Sequence, residues 1–455
     1  MKRQQLCVTQ QRKAGIKAMD NNAADEAQPV VQKNGDSDHH ASTVSAANGG
    51  THPQGAAHAC RVCGGGPLTR WVHLPAMPLT EELRPPSYSD SPYLADIDVY
   101  RCAVCGVSQT VGERDLSPYY VDYGYTVGQS PFAARFMQRL ADTVRDRFGL
   151  QEGFKVVEIG SGDGAQLACF QRAGAEVFGV EPSAELCRES RARGVPVMEA
   201  LFMPQTAALL PEEFQPADVL LMTYTFDHLP DPSGTLEAAR RTLHPGRGLL
   251  VLEVHDLTRI VERREYCLFE HEHYTYWTAE TLGCALARSG FRLLTTELLP
   301  EHERRGNSLL IAAAAMDAAH SPESEVQLAE WSALDYDKFQ QEMDQGIAAL
   351  DAFVEAEASQ GRTVAGYGGG GRGVMTMAAM SSAWRISYVC DANTGLHGLL
   401  APKSRVPVVA IDRLSEEPVD TLIVFSYGYM AEIREAVEKL PGAPKQIVSM
   451  LDILK

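Results

Sequence analysis

The sequence predicts an α/β fold with two Rossmann-like units behind a small cysteine-bearing module. Three observations carry this. Residues Lys155 to Glu181 read as a buried strand, a glycine-rich turn, a helix, a second strand and a closing acid. Residues Arg362 to Asp391 repeat that order. Two Cys-x-x-Cys pairs, Cys60/Cys63 and Cys102/Cys105, precede both. A chain of 455 residues exceeds what one core supports. The expected division is a disordered tail at 1–56, a zinc-binding module at 57–120, a cofactor-binding core at 121–318 and a C-terminal Rossmann-like domain at 319–455.

The tail is poor in large apolar side chains, so it cannot bury enough surface to offset the entropy of ordering. Its His39-His40 reads as solvated tail. Each Cys-x-x-Cys is followed by a glycine, Gly64 or Gly106, that permits a tight turn. Two thiolates three residues apart share one ion, and two such pairs complete a closed tetrahedral zinc site of structural type. The other six of the ten cysteines are scattered, which fits a reducing compartment rather than a disulfide framework.

The run Tyr119-Tyr120-Val121-Asp122-Tyr123-Gly124-Tyr125 is open to two readings, the wall of a ligand cleft or a linker packed by its rings. Pro131 to Phe148 carries Phe132, Phe136, Leu140, Val144 and Phe148 at helical spacing.

In the first unit, Gly160, Gly162 and Gly164 let the backbone approach a ligand where a Cβ would collide. Glu181 stands where an acceptor for two ribose hydroxyls is needed. Glu158, just before the turn, separates the motif from most dinucleotide fingerprints. A dinucleotide brings a pyrophosphate, whereas S-adenosylmethionine (SAM) brings an amine and a sulfonium. The predicted cofactor is SAM, held by Glu158, Gly160, Gly162, Gly164, Glu181 and Thr223.

The strand Asp218–Met222 leads into Thr223-Tyr224-Thr225-Phe226-Asp227-His228, at the sheet's carboxyl edge where ligands bind in open α/β folds. That puts His228 near the reactive end of the cofactor, unless it is a satisfied structural histidine. The densest acid–base cluster is Glu270-His271-Glu272-His273-Tyr274-Thr275-Tyr276-Trp277. An extended segment would place His271 and His273 on one face and both glutamates on the other. A tight turn would let Glu272 and His273 converge as a proton-transfer pair. A metal site here lacks an obvious third ligand. In the second unit the backbone of Gly368–Gly373 with Arg372 would suit a diphosphate, and Asp391 ends the following strand.

A net charge of −18 argues against general nucleic-acid or anionic-membrane binding. No apolar run approaches the roughly 20 residues of a membrane helix. Met1 to Lys17 is basic, but no apolar core follows, so it does not read as a secretory signal; an organellar transit peptide stays open. The expectation is a cytoplasmic monomer or homodimer acting on a small molecule.

Taken in order, these motifs resemble the sugar C-methyltransferases, which methylate a carbon of nucleotide-linked keto-deoxysugars. The likeness spans about residues 58–455. Its marks are Cys60/Cys63/Cys102/Cys105, Glu158–Gly162, Phe226-Asp227-His228-Leu229-Pro230-Asp231, and His271-Glu272-His273 with Tyr276. It implies a class I SAM-methyltransferase core and methylation next to a ketone through an enolate. It also implies His273 as base, Glu272 as its partner, and His228 with Tyr123 or Tyr125 as donors to the oxyanion. His271, Tyr276, Gly368, Gly371, Arg372 and Asp391 would contact substrate. The sequence departs from the family pattern at Glu270, where a tyrosine is usual, and at Gly306-Asn307-Ser308 in place of Gly-Gly-Ser. It departs again in the extra glycines and Arg372 of the second turn, and together these bear on the acceptor more than on the chemistry. The competing functions are an O- or N-methyltransferase on another metabolite and a non-catalytic binding module.

Overall fold

The computed structural model describes residues 59–112, 131–317 and 334–455, all within one compact unit, Ser45–Lys455. The tail, Tyr119–Tyr125 with Tyr123 and Tyr125, and residues 318–333 lie outside the described residues.

Three sheets organise the chain. The first contains β1 (Leu68–Met77), β2 (Ala95–Cys102) and β3 (Ser108–Thr110), all antiparallel. Its inward positions Val72, Leu74, Ile97 and Val99 alternate with more exposed ones, as one covered face requires. A distant two-residue strand, β9 (Thr275–Tyr276), completes its edge on β3.

The second sheet has β4 (Lys155–Ile159), β5 (Glu176–Glu181), β6 (Val197–Glu199), β7 (Val219–Thr223), β8 (Leu249–His255), β10 (Phe291–Thr295) and β11 (Ser308–Ala315). The order is β10-β11-β8-β7-β4-β5-β6, with β11 antiparallel to both neighbours and the rest parallel. Helices α1 (Pro131–Phe148), α2 (Ala165–Arg172), α3 (Ala184–Ala192), α4 (Pro232–Thr242), α5 (Leu257–Arg263) and α6 (Ala279–Arg288) accompany it. One core joins Phe136, Leu140 and Val144 of α1 to Phe170, Val156 and Val219. The other joins Leu236 and Ala239 of α4 and Leu282 and Leu286 of α6 to Val157 and Leu220. With both faces covered, β4, β7 and β8 are near-continuous apolar runs.

The third sheet is wholly parallel, in the order β14-β13-β12-β15-β16. Its strands are β12 (Val364–Tyr367), β13 (Ile386–Cys390), β14 (Val408–Val409), β15 (Thr421–Val424) and β16 (Gln446–Ser449). Helices α7 (Tyr336–Ser359), α8 (Gly371–Ala379), α9 (Arg413–Glu416), α10 (Met430–Glu438) and α11 (Met450–Ile453) belong to it. Trp71 of β1 packs edge-on against Tyr336 of α7 at 4.7 Å and Phe269 at 5.7 Å, so the first and third sheets share one core. No helix among the described residues is long and apolar enough to cross a membrane.

The expected elements occur with shifted ends. Strand β10 stops at Thr295, before Pro300. Helix α8 opens inside the second glycine turn, at Gly371. Of the two forms open to Glu270–His273, the structure takes the tight turn. The His273 amide donates to the Glu270 carbonyl at 3.3 Å, so the segment is a turn and the alternation of an extended strand does not apply.

Candidate active site

The glycine turn after β4 has three left-handed residues, Gly160 (φ 70°), Gly162 (φ 54°) and Gly164 (φ 76°). A Cβ on Gly160 would lie 2.4 Å from Thr225 Oγ1, and one on Gly164 2.7 Å from Ser190 Oγ, so both are packed against protein. A Cβ on Gly162 would meet nothing within 4 Å. Gly162 therefore faces open space. Glu181 accepts from the Gly162 amide and the Ser183 amide, both at 2.9 Å, which locks the end of β5 onto the turn. Burial raises its pKa.

Glu158 is buried and accepts from Thr223 Oγ1 at 3.2 Å, while its Oε2 and the Ser161 hydroxyl have no partner. Burial pushes Glu158 well above the usual carboxylate range. A cradle at Gly162, a ribose-type acid and an unpartnered buried carboxyl beside it fit SAM.

The second cluster lies at the same carboxyl edge. Asp227 and His228 come from a 3-10 turn after β7, His255 ends β8, and Glu270–His273 follows α5. His228 and His273 meet edge to face with centroids 4.6 Å apart, and His255 lies 5.0 Å from His273. His273 Nδ1 is 3.0 Å from the Leu268 carbonyl, which can only accept. Nδ1 therefore carries a hydrogen, and Nε2 faces Glu270 Oε2 at 3.7 Å. His255 Nδ1 lies 3.2 Å from Asp227 Oδ2. Burial first, then the neighbouring imidazolium charge, lowers His228 to about 3; burial and the same charge take His255 to about 4. Burial works to raise Asp227, but the His255 hydrogen bond and the imidazoles hold it well below the carboxylate range. Burial also works to lower His273, but Glu270 and Asp227 raise it on balance.

The turn distributes its side chains unevenly. His271 Nε2 lies 2.9 Å from the Met77 carbonyl, and its ring meets Tyr93 edge-on. Glu272 Oε1 accepts from the Thr80 amide and hydroxyl at 3.1 and 2.9 Å. It is Glu270, not Glu272, whose carboxylate stands against His273. Tyr276 OH bonds the backbone of Glu270 at 3.3 Å, which fixes the turn from inside.

The third sheet presents its own glycine turn here. A Cβ on Gly371 would lie 3.7 Å from Glu270 Oε1, and one on Gly370 would meet nothing. Gly368 (φ 98°) packs against Ser426. Asp391 accepts from the Gly369 amide at 2.7 Å and the Asn393 amide at 2.8 Å, repeating Glu181 in the second unit. Arg372 lies over the Tyr427 ring at 5.3 Å and against Gly306. Burial, then Glu272 and Asp391, raise Glu81 to about 7.

Away from this edge, Cys60 Sγ lies 3.5 Å from Cys105 Sγ, and Cys63 Sγ 3.6 Å from Cys102 Sγ. All four sulfurs fall within 4.8 Å of one another. The amides of Val62, Gly65 and Val104 point at three of them at 3.4 Å.

Sequence reasoning passed over Asp227, His255, Glu253 and Arg305 as functional positions. Arg305 makes a buried ion pair with Glu253 and lies between the Phe136 and Tyr224 rings. Asp227 sits beside His228 in sequence and His255 closes a strand at the ligand edge; these were the available signals.

Comparison with known proteins narrows the assignment. Residues 133–296 match a family profile described as a methyltransferase domain. With the strand order and glycine turn, this defines a class I SAM-dependent methyltransferase. Residues 303–451 match a profile described as a C-methyltransferase C-terminal domain. The C-methyltransferase NovU of Streptomyces niveus is 26% identical over 384 residues, covering 82% of this chain and 90% of that protein. The two domains and this relative together make the chain a SAM-dependent C-methyltransferase. A protein-L-isoaspartate O-methyltransferase of Picosynechococcus is 34% identical over 121 residues, covering 25% of this chain and 49% of that protein. Among solved structures, magnesium protoporphyrin IX methyltransferase of Synechocystis PCC 6803 aligns with a TM-score of 0.33 and 15% identity, covering 44% of this chain and 91% of that one.

Proposed function

We propose that the enzyme methylates a carbon next to a ketone in a nucleotide-linked deoxysugar, through an enolate. The observation that supports this most is the buried Glu270–His273 pair at the carboxyl edge of β7 and β8, with the His273 ring oriented by its Nδ1 bond to Leu268. A carbon acid needs a base held close and shielded from water. The pair accepts the α-proton at one end and shares it along the 3.7 Å gap. His228, against the His273 ring, donates to the developing oxyanion. Tyr123 and Tyr125 are the proposed further donors. Glu272 holds the turn on Thr80 and acts on His273 through the turn.

Gly160–Gly164, Glu158, Glu181 and Thr223 are the proposed SAM contacts. When bound, SAM supplies an electrophilic methyl group that the enolate carbon takes up. His271, Tyr276, Gly368, Gly371, Arg372 and Asp391 are the proposed substrate wall, with Asp391 accepting from sugar or ribose hydroxyls. The four cysteines are proposed to hold structural zinc. Zinc–sulfur bonds of about 2.3 Å put tetrahedral sulfurs about 3.8 Å apart, near the spacing seen. The proposed domain limits are 57–120, 121–318 and 319–455.

The experiment is solvent exchange. The enzyme with S-adenosylhomocysteine, in D2O, is presented with a panel of nucleotide-linked keto-deoxysugars and the α-position is followed by NMR. Enzyme-dependent loss of the α-proton signal without methyl transfer is expected. If methyl transfer occurs to an oxygen or nitrogen and no ketone exchanges, the reading is wrong.

A further inference from the structure

We propose that Arg61 is a positioning residue for methyl transfer, one that keeps the His228 turn in register with His273. The inference rests on the reading above for the roles of those two histidines, not for the contacts of Arg61.

Arg61 stands between Cys60 and Cys63. Its backbone is fixed before its side chain reaches anything. The Gly64 amide donates to the Cys60 carbonyl and the Cys60 amide to the Gly65 carbonyl, both at 2.9 Å, which closes the turn around it. The Arg61 amide donates to Oε1 of Gln109, a buried residue of β3, at 2.9 Å. A guanidinium offers five N–H donors in a rigid planar fork and does not deprotonate. Here the fork spreads over backbone carbonyls from separate parts of the chain. Nη2 donates to Gly112 at 2.8 Å, Nη1 to Pro230 at 3.0 Å and Nε to Thr110 at 3.4 Å. Arg61 Cζ also lies 4.9 Å from the centroid of the Tyr274 ring, within cation–π reach.

These partners adjoin both histidines. Pro230 comes just after His228 and Leu229, and Tyr274 directly follows His273. Thr110 bonds the same stretch from the side of β3. Its amide donates to the Tyr274 carbonyl at 3.1 Å and its hydroxyl to the His273 carbonyl at 3.2 Å. Beyond Pro230, the Ser233 hydroxyl in the first turn of α4 donates to the Val62 carbonyl at 2.8 Å. The segment after His228 is therefore bonded to the cysteine turn at two points, Pro230 and Ser233. His228 and His273 belong to different segments, and Arg61 is bonded to the one and packed on the chain next to the other. Their edge-to-face contact at 4.6 Å depends on that register.

A lysine cannot take over this task. It carries one point charge on a flexible stem and cannot span the three carbonyls in a fixed geometry. Arg61 stays remote from the chemistry itself; it sets where the oxyanion donor stands relative to the base.

The test compares full-length wild type with Arg61→Gln and Arg61→Lys, using S-adenosylhomocysteine as the bound probe. Histidine Cε1 is labelled with carbon-13 and followed by NMR, and the His228 and His273 signals are identified by replacing each with Gln. In Arg61→Gln both signals should shift, while that of the exposed His302 stays in place. Zinc content, melting temperature and S-adenosylhomocysteine affinity should remain at wild-type values, which certifies the fold. With the ketone that the wild type methylates, kcat should fall about 10–100-fold, the order expected of a misplacement near 1 Å, with KM within a few-fold. Arg61→Lys should fall between the two. Unmoved His228 and His273 signals in Arg61→Gln overturn the proposal, as does a raised KM with kcat unchanged. Loss of zinc or of S-adenosylhomocysteine binding in step with turnover also overturns it, because Arg61 would then serve only the stability of its own module. If the wild type exchanges no ketone, the enolate reading fails and the histidine signals still decide on Arg61.

Discussion

His273→Ala removes the Nε2 acceptor without touching the glycine turn after β4. Turnover should fall by about 10²–10⁴-fold, the usual worth of a positioned base, while SAM affinity by calorimetry stays within a few-fold. A matching loss of SAM affinity would remove His273 from the chemistry. Glu181→Ala acts the other way. It strips the Gly162 and Ser183 amides of their acceptor and leaves ribose hydroxyls unpaired. At about 1.5–3 kcal/mol for hydrogen bonds to a charged group, the SAM dissociation constant should rise roughly 10–100-fold. Glu81 gives a pH signature. Burial, and then Glu272 and Asp391, raise it to about 7 from the ordinary 4.5 of a glutamate. The folded state then binds more protons than the unfolded one between those values, so stability falls as pH rises through that window. Glu81→Gln should match wild type in urea at pH 4 and exceed it at pH 8; equal midpoints at pH 8 would contradict the raised pKa. Of these residues, Glu181 stands out in sequence by its spacing from the glycine turn, while His273 stands out only as part of an acid–base cluster and takes its role as base from the family resemblance. Glu270 as the partner of His273 does not stand out. Which glutamate faces the imidazole depends on a turn closed by one backbone bond, and sequence alternation carries no information on that.

At the scale of elements, the two glycine turns repeat one device, an acid at the end of the next strand that accepts from the turn's backbone. Their glycines are not equivalent. Gly160→Ala puts a Cβ at φ 70° against Thr225, so it should lower the melting temperature and SAM affinity together. Gly162→Ala pays mainly for the left-handed backbone, about 1 kcal/mol, because its Cβ enters open space. It should cost far more in SAM binding than in thermal stability. Equal losses at both glycines would mean that Gly162 does not face the cofactor. The periodicities of α1, β4, β7 and β8 read directly from sequence because their buried faces are long and regular. β9 did not, since a two-residue strand has no period and owes its existence to β3.

For the whole molecule, the first sheet and the segment just after β1 are tied to residues 270–276 by three contacts. Thr80 holds Glu272, the Met77 carbonyl holds His271, and β3 pairs with β9. Cys60→Ser should therefore cost more than the local module. Loss of bound metal should be accompanied by loss of turnover, while SAM binding, which rests on the Gly160–Gly164 turn, is retained. Full activity in a metal-free Cys60→Ser protein would show the two are uncoupled. The pairing of β3 with β9 also sets a timetable during synthesis. Thr110 and its partner His273 are 163 residues apart. At roughly 5–20 residues per second, the free edge of β3 waits on the order of ten seconds for its neighbour to emerge from the ribosome. Through that interval an unpaired strand edge is exposed to other nascent chains. An early-loaded cysteine site would hold the hairpin in register while it waits, so zinc supply during translation, more than in the finished enzyme, should govern the yield of folded protein.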